Sequence, residues 1–185
     1  MHQKRPRLST FDYVGRYRYF LTFCTHHRRR LFEDGAVVDL VLPHILHSAT
    51  RCEIAIPVYC AMPDHVHLFV KGQAEDSDLK AFVKLAKQTS GYAYSQSRRN
   101  QLWQPSFHDR TLRDDESELF YIAYILRNPV AAGLVRNWRD YPFLGSTTGQ
   151  LEDLVEMLDQ GLGKDWETAN LLIPADESAR RNGQA

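Results

Sequence analysis

The chain has 185 residues and a mass of 21.4 kDa, enough for one domain with a real core and a short appendage. Apolar residues make up 43% and charged residues 25%, which excludes wholesale disorder and fibrous repeats. Twenty-three basic residues offset twenty-three acidic ones, so net charge selects no partner, but residues 1–30 hold eight Lys/Arg against one Asp (+7) and residues 140–185 three against nine (−6). That asymmetry is what an anion-binding face followed by an acidic appendage leaves. Cys24, Cys52 and Cys60 are odd in number and lack CxxC spacing, as expected of reduced thiols in a cytoplasmic protein. No apolar run approaches the 18 or so residues of a membrane span. The N-terminal MHQKRPRLST lacks the apolar core of a signal peptide, so a soluble, cytoplasmic location is expected.

Residues 1–15 read as a basic arm with Lys4, Arg5 and Arg7. Tyr17 to Thr25 (YRYFLTFCT) is short, aromatic and branched, which predicts a strand; Arg28, Arg29 and Arg30 follow it. Residues 35–50 place Val37, Val38, Val41, Leu42, Ile45 and Leu46 at helical spacing, bent or interrupted at Pro43. Ile54–Ala61 and His65–Val70 flank Met62-Pro63-Asp64, whose turn chemistry predicts an antiparallel hairpin. Ser77 or Asp78 can cap a helix from about Leu79 to Gly91 or beyond, with Leu79, Phe82, Val83 and Ala86 on its apolar face. Lys80, Lys84 and Lys87 share another face, either a solvated stripe or a phosphate-tracking one.

Phe107 to Arg113 predicts a short strand, and Asp115 with Glu118 a capping box for a helix ending near Asn128-Pro129. An amphipathic stretch, Leu151 to Leu158, precedes a polar tail. Strand, helix, hairpin, helix, strand, helix fits a ferredoxin-like α+β fold: one antiparallel sheet with helices packed on one face, plus a C-terminal helical, acidic extension. The expected organisation is an arm over 1–15, a domain over 16–147 and an extension over 148–185.

Two constellations carry chemistry. Along a strand, His65, His67 and Phe69 share one face while Val66, Leu68 and Val70 take the core-like other. Two imidazoles about 6.7 Å apart at Cα can converge on one divalent ion, with further ligands from elsewhere. On the helix LFYIAYILRN, Ser117, Tyr121, Tyr124 and Asn128 fall in one sector, opposite Leu119, Ile122, Ala123 and Leu126. That tyrosine stripe either packs or, with the amide one turn on, addresses an ion or a phosphate. A His/His/Asn set suits Mg²⁺ or Mn²⁺. Zinc would ask for a further ligand such as His108 or Asp64.

AMPDHVHLFV at 61–70, followed by YILRNPVAAGLV at 124–135, closely resembles the REP-associated tyrosine transposases, a group of one-tyrosine insertion-sequence transposases within the HUH endonuclease superfamily. LWQPSFHDRTLRDD at 102–115 and RYFLTFCTHHRRRLF at 18–32 resemble the same group, so the likeness covers about residues 16–147. The resemblance implies that His65 and His67 hold the divalent metal, Mg²⁺ or Mn²⁺, with Asn128 as third ligand. It implies Tyr124 as nucleophile and leaves Tyr121 to packing or DNA contact. The implied substrate is single-stranded DNA carrying repetitive palindromic hairpins, cleaved through a 5′-phosphotyrosine intermediate that frees a 3′-hydroxyl. Residues after about 148 match no named motif.

Arg28, Arg29, Arg30, Lys80, Lys84 and Lys87 are the expected electrostatic footprint for DNA. Tyr13, Tyr17, Tyr92, Tyr94 and Trp103 are candidates for stacking on bases. The alternative to a strand-transferase is a non-catalytic, domesticated hairpin-binding module; an unrelated metal hydrolase using activated water ranks third. Both a monomer and a homodimer are compatible with these features.

Overall fold

A computed structural model describes residues 12–112, 118–149 and 151–160. Among the described residues, nine strands and α-helices follow in order: β1 (Arg18–Cys24), α1 (Gly35–Arg51), β2 (Ile54–Met62), β3 (His65–Gly72), α2 (Leu79–Arg98), β4 (His108–Thr111), α3 (Glu118–Ala131), β5 (Leu144–Gly145) and α4 (Leu151–Asp159). Every strand pairs antiparallel in the order β4-β1-β3-β2-β5. The first four strands with α1 and α2 make the split βαβ arrangement of the expected ferredoxin-like α+β class.

Alternation along the central strands divides the molecule into two layers. Tyr19, Leu21 and Phe23 of β1 and Val66, Leu68 and Val70 of β3 face α1 and α2, which supply Val38, Val41, Ile45, Phe82, Val83 and Ala86. Phe20 and Phe69 face the other way and form a second core with Tyr121, Ile122, Ile125 and Leu126 of α3. The expectation that helices occupy one face therefore holds for α1 and α2 and is corrected for α3. The physical reason lies in β2. Pro57 has no amide hydrogen for the ladder, and the β2–β3 register slips between Ala55 and Val58. Ile54 and Ile56 join the first core, whereas Val58, Cys60 and Met62 turn to the second. This second apolar face needs a cover, and α3 lies over β2 and β3.

Local chemistry accounts for most boundaries. Asp34 caps α1 by accepting from the Ala36 amide at 3.0 Å, and Asp78 caps α2 through the Ala81 amide at 3.0 Å. Pro43 leaves α1 continuous. The third helix passes the expected stop at Asn128-Pro129 and ends at Ala131, closing on Gly133 in the left-handed region (φ 69°). The capping residue Asp115, like Ser117, lies outside the described residues.

The domain also begins earlier than expected. Tyr13 is buried and stacks on Tyr19, Val14 bridges to Asp78, and the Gly15 amide donates to the Ser77 carbonyl at 2.9 Å. Residues 13–15 thus belong to the folded domain, while Lys4, Arg5 and Arg7 lie outside the described residues. At the other end Val155 of α4 is buried in the second core, so this helix packs on the domain; the acidic tail after residue 160 is outside the described residues. No described helix is long and apolar enough to cross a membrane.

Candidate active site

Both histidines point into the second layer, under α3. Their side chains are buried, at 5% and 2% exposure, and their Nε2 atoms stand 3.0 Å apart. Each ring is held from behind. His65 Nδ1 lies 2.7 Å from Asp64 Oδ1, and His67 Nδ1 lies 2.9 Å from Thr22 Oγ1 on β1. With Nδ1 engaged on the protein side, both Nε2 atoms are left facing one point, the arrangement of a ligand pair with its orienting partners.

The ionisation states suit that role. Burial pushes the His67 pKa well below the usual imidazole value, and the neighbouring His65 and Arg28 act in the same direction. His67 is therefore neutral, with a lone pair to offer. Burial disfavours the Asp64 carboxylate, but the hydrogen bond and charge of His65, with Arg28 behind, outweigh it and lower its pKa. Asp64 is thus ionised and accepts from His65.

The loop after β1 builds the outer wall. Arg28 sets Nε 3.1 Å from Asp64 Oδ2 and Nη1 2.8 Å from Cys24 Sγ. Its backbone and that of His27 are left-handed, with φ of 55° and 56°. Buried Thr25 fastens this turn by donating to the Arg29 carbonyl at 2.7 Å and contacting the Asp64 carbonyl at 3.0 Å. A chain Arg28–Asp64–His65 follows, from the loop to the imidazole pair.

Tyr124 reaches this site from α3. Residues Tyr121, Ile122, Ile125, Leu126 and Pro129 form the buried stripe of that helix, and half-buried Tyr124 and Asn128 stand on its rim. The Tyr124 ring lies 5.7 Å from the His67 ring and 5.6 Å from that of Phe20, both edge to face. Asn128, one turn on, donates from Nδ2 to the Tyr124 carbonyl at 3.0 Å, so Oδ1 is the atom able to ligate an ion. Tyr121 is packing: 3% exposed, it stacks on Phe69 with centroids 6.3 Å apart.

The other expected residues separate. Asp64 meets the outward nitrogen of His65 and so orients it, and His108 pairs with Thr22, two strands from His67. Among the described residues no three His, Cys, Asp or Glu side chains are grouped so as to hold a metal ion. The paired Nε2 atoms, with His67 neutral, and the Asn128 amide on α3 are donor types that suit a divalent ion that keeps open positions.

Arg29 is braced against the carbonyls of His26 (3.2 Å) and Gln101 (2.5 Å), and Arg30 forms an exposed pair with Glu33 at 2.9 Å. The lysine stripe belongs to α2, in the layer on the opposite side of the sheet from the histidines. There Lys80 lies over the Tyr13 ring at 4.7 Å, and Lys84 is exposed. Lys87 is engaged within the fold: it donates to the Gln104 and Ser106 carbonyls at 2.6 and 2.8 Å and lies over the Phe23 ring. Two contributors went unread in the sequence, the orienting hydroxyl of Thr22 and the Arg28–Asp64 link. Their only signal was a polar residue at a second-layer position of an apolar strand, and an acid directly before His65.

The chain matches the "Transposase IS200 like" family over residues 13–128. It is 28% identical over 95 residues to a protein of Haemophilus influenzae assigned as a REP-associated tyrosine transposase, covering 45% of this chain and 54% of the relative. The match thus spans about half the length of that curated relative. Among solved structures, a REP-associated tyrosine transposase bound to a REP hairpin superposes with a TM-score of 0.63 at 21% identity, covering 81% of this chain and 84% of the other, a likeness of fold. A transposase structure from Deinococcus radiodurans gives a TM-score of 0.46 at 24% identity, covering 60% and 88%. The start of the family match coincides with the buried Tyr13, its end with Asn128, and it encloses both histidines and Tyr124: the chain belongs to the IS200-like transposase family.

Proposed function

We infer that this chain is a single-stranded DNA strand-transferase in which Tyr124 is the nucleophile. The observation that carries this reading is the Tyr124 ring packed 5.7 Å from a buried imidazole whose Nε2 is paired with that of His65. In the first step the Tyr124 oxygen bonds to a backbone phosphorus and the P–O3′ bond breaks. The phenolic proton is lost, the 3′-oxygen gains one, and the 5′ side stays linked as a phosphotyrosine. A phosphodiester is exchanged for another of similar energy, so a 3′-hydroxyl can later reverse the step without a nucleotide cofactor.

His65, His67 and Asn128 would hold the metal, Mg²⁺ or Mn²⁺. A bound divalent ion supplies charge neutralisation at the non-bridging phosphate oxygens. The protein's own part is orientation: Asp64 and Thr22 fix the two rings, and the Phe20–His67 stack fixes where the tyrosine ring can sit, with centroids 5.2 Å apart. Single-stranded DNA with palindromic hairpins is the substrate supported by the relatives, one of them solved with a REP hairpin.

The test is incubation of the protein with hairpin-bearing single-stranded DNA and Mn²⁺, followed by denaturing electrophoresis. A covalent protein–DNA adduct is expected, absent in Tyr124→Phe. Cleavage persisting in Tyr124→Phe would exclude this nucleophile. Binding without an adduct in the unaltered protein would identify a non-catalytic hairpin-binding module.

A further inference from the structure

The lysines on α2 stand on the other layer, with the sheet between them and the histidines. The site's own face offers another route. Helix α3 lies over β2 and β3, so the sheet on the β1 side of Tyr124 runs outward to the edge strand β4. Antiparallel register puts directly paired residues on one face of a sheet. Thr22 pairs with both His67 and His108, and Phe20 with both Phe69 and Arg110. His108 and Arg110 therefore stand on the same face as the imidazole pair. Asp109 between them pairs with Leu21, a residue of the opposite layer, so its carboxylate belongs to the other side.

Arg110 is tied to the catalytic helix: its guanidinium lies 5.7 Å from the Tyr121 ring, one turn before Tyr124. Both Arg110 and His108 have solvent exposure. Farther along this face, Glu118 bridges Lys71 at 2.6 Å and Arg18 at 3.4 Å. Beyond an imidazole pair and a phenol, a bound polyanion needs cationic contacts to seat its phosphates. On the site's face, β4 is placed to supply them.

We propose that the strip of sheet between Tyr124 and the β4 edge is the track for the single-stranded segment being cut, with Arg110 contacting a backbone phosphate near the reacting one and His108 lying further along. This rests on the strand-transferase reading and adds the direction from which DNA enters. The occupant is single-stranded rather than duplex because a phosphate must reach half-buried Tyr124, beside buried His67, and a flexible single strand can do that at close range.

The test measures binding of an oligodeoxythymidylate by fluorescence anisotropy across a salt series, in a Tyr124→Phe background so that nothing is cut. One phosphate contact to a single strand contributes about 0.7 to the slope of log affinity against log salt. Arg110→Gln is expected to reduce the slope by about 0.7 and to weaken binding about five-fold at about 0.1 M salt. Arg110→Lys keeps a cation and is expected to restore the slope, which separates a phosphate contact from the stacking role on Tyr121. Lys84→Gln, on the far layer, is expected to leave the slope unchanged. A slope unaffected by Arg110→Gln, not restored by Arg110→Lys, or lowered by Lys84→Gln instead overturns the track. Failure of the Tyr124→Phe protein to bind the oligonucleotide at all also overturns the track, while the strand-transferase reading falls separately, if the unaltered protein forms no adduct with hairpin-bearing DNA.

Discussion

The rings of Tyr124 and His67 meet edge to face at 5.7 Å, and Phe20 closes the triangle at 5.6 Å from one and 5.2 Å from the other. Tyr124→Phe keeps these ring contacts and is expected to change stability by no more than about 1 kcal/mol. Tyr124→Ala removes a half-buried ring and is expected to cost about 2 kcal/mol. Chemical denaturation distinguishes the two. A large loss in Tyr124→Phe would mean that the hydroxyl is structural.

Asp64 touches the imidazole nitrogen that faces away from His67, so its effect on a bound ion is indirect. Asp64→Asn retains the shape but loses the charge that orients and polarises His65. Mn²⁺ affinity, read by calorimetry or electron paramagnetic resonance, is expected to fall about 10- to 100-fold. Arg28→Leu, one step further out, is expected to give a smaller loss; equal affinities in all three proteins would contradict the relay.

Stability should depend on pH through His67. Burial lowers its folded pKa, so below about pH 6.5 the unfolded chain takes up a proton that the folded chain resists. Unfolding is then favoured as pH falls from about 6.5 toward the folded pKa, and this contribution is absent above that window. Melting temperature of chelator-treated protein is expected to drop across it, and less steeply in His67→Gln. Identical profiles would show that His67 titrates as freely as in the unfolded chain.

Lys87 is half-buried among the carbonyls that carry the chain toward β4, and that burial lowers its pKa. Lys87→Met leaves those carbonyls short of a charged donor and is expected to cost about 2 kcal/mol. Lys84→Met, exposed one turn earlier, is expected to cost almost nothing. Equal melting temperatures would refute the structural role.

Tyr19 is 1% exposed, and among the described residues its hydroxyl has no hydrogen-bond partner. Burial also pushes its pKa upward, consistent with an oxygen removed from water without compensation. Tyr19→Phe is expected to be neutral or to stabilise the domain by about 1 kcal/mol. Facing α1 and α2, it should leave adduct formation unchanged.

Local backbone geometry made much of this legible in advance. Period-two alternation separated His65 and His67 from Val66, Leu68 and Val70, and the structure keeps that division. The element order implied the split βαβ sheet. Helical arithmetic placed Tyr124 and Asn128 one turn apart, but grouped Tyr121 with them, which the wide apolar stripe of α3 instead buries. Periodicity states which residues share a face; it does not state what that face meets. Hence the basic face of α2 is legible in the sequence, while the sheet that lies between it and the histidines is not.

What tertiary structure alone decided is set by long-range register and layering. Thr22 meets His67 across 45 positions, and Arg28 meets Asp64 across 36 (64 − 28). The slip at Pro57 turned half of β2 toward α3. Such contacts depend on which apolar faces bury one another, a cooperative choice made by the whole chain, whereas alternation and helical repeat follow from the dihedral angles of a few neighbouring residues.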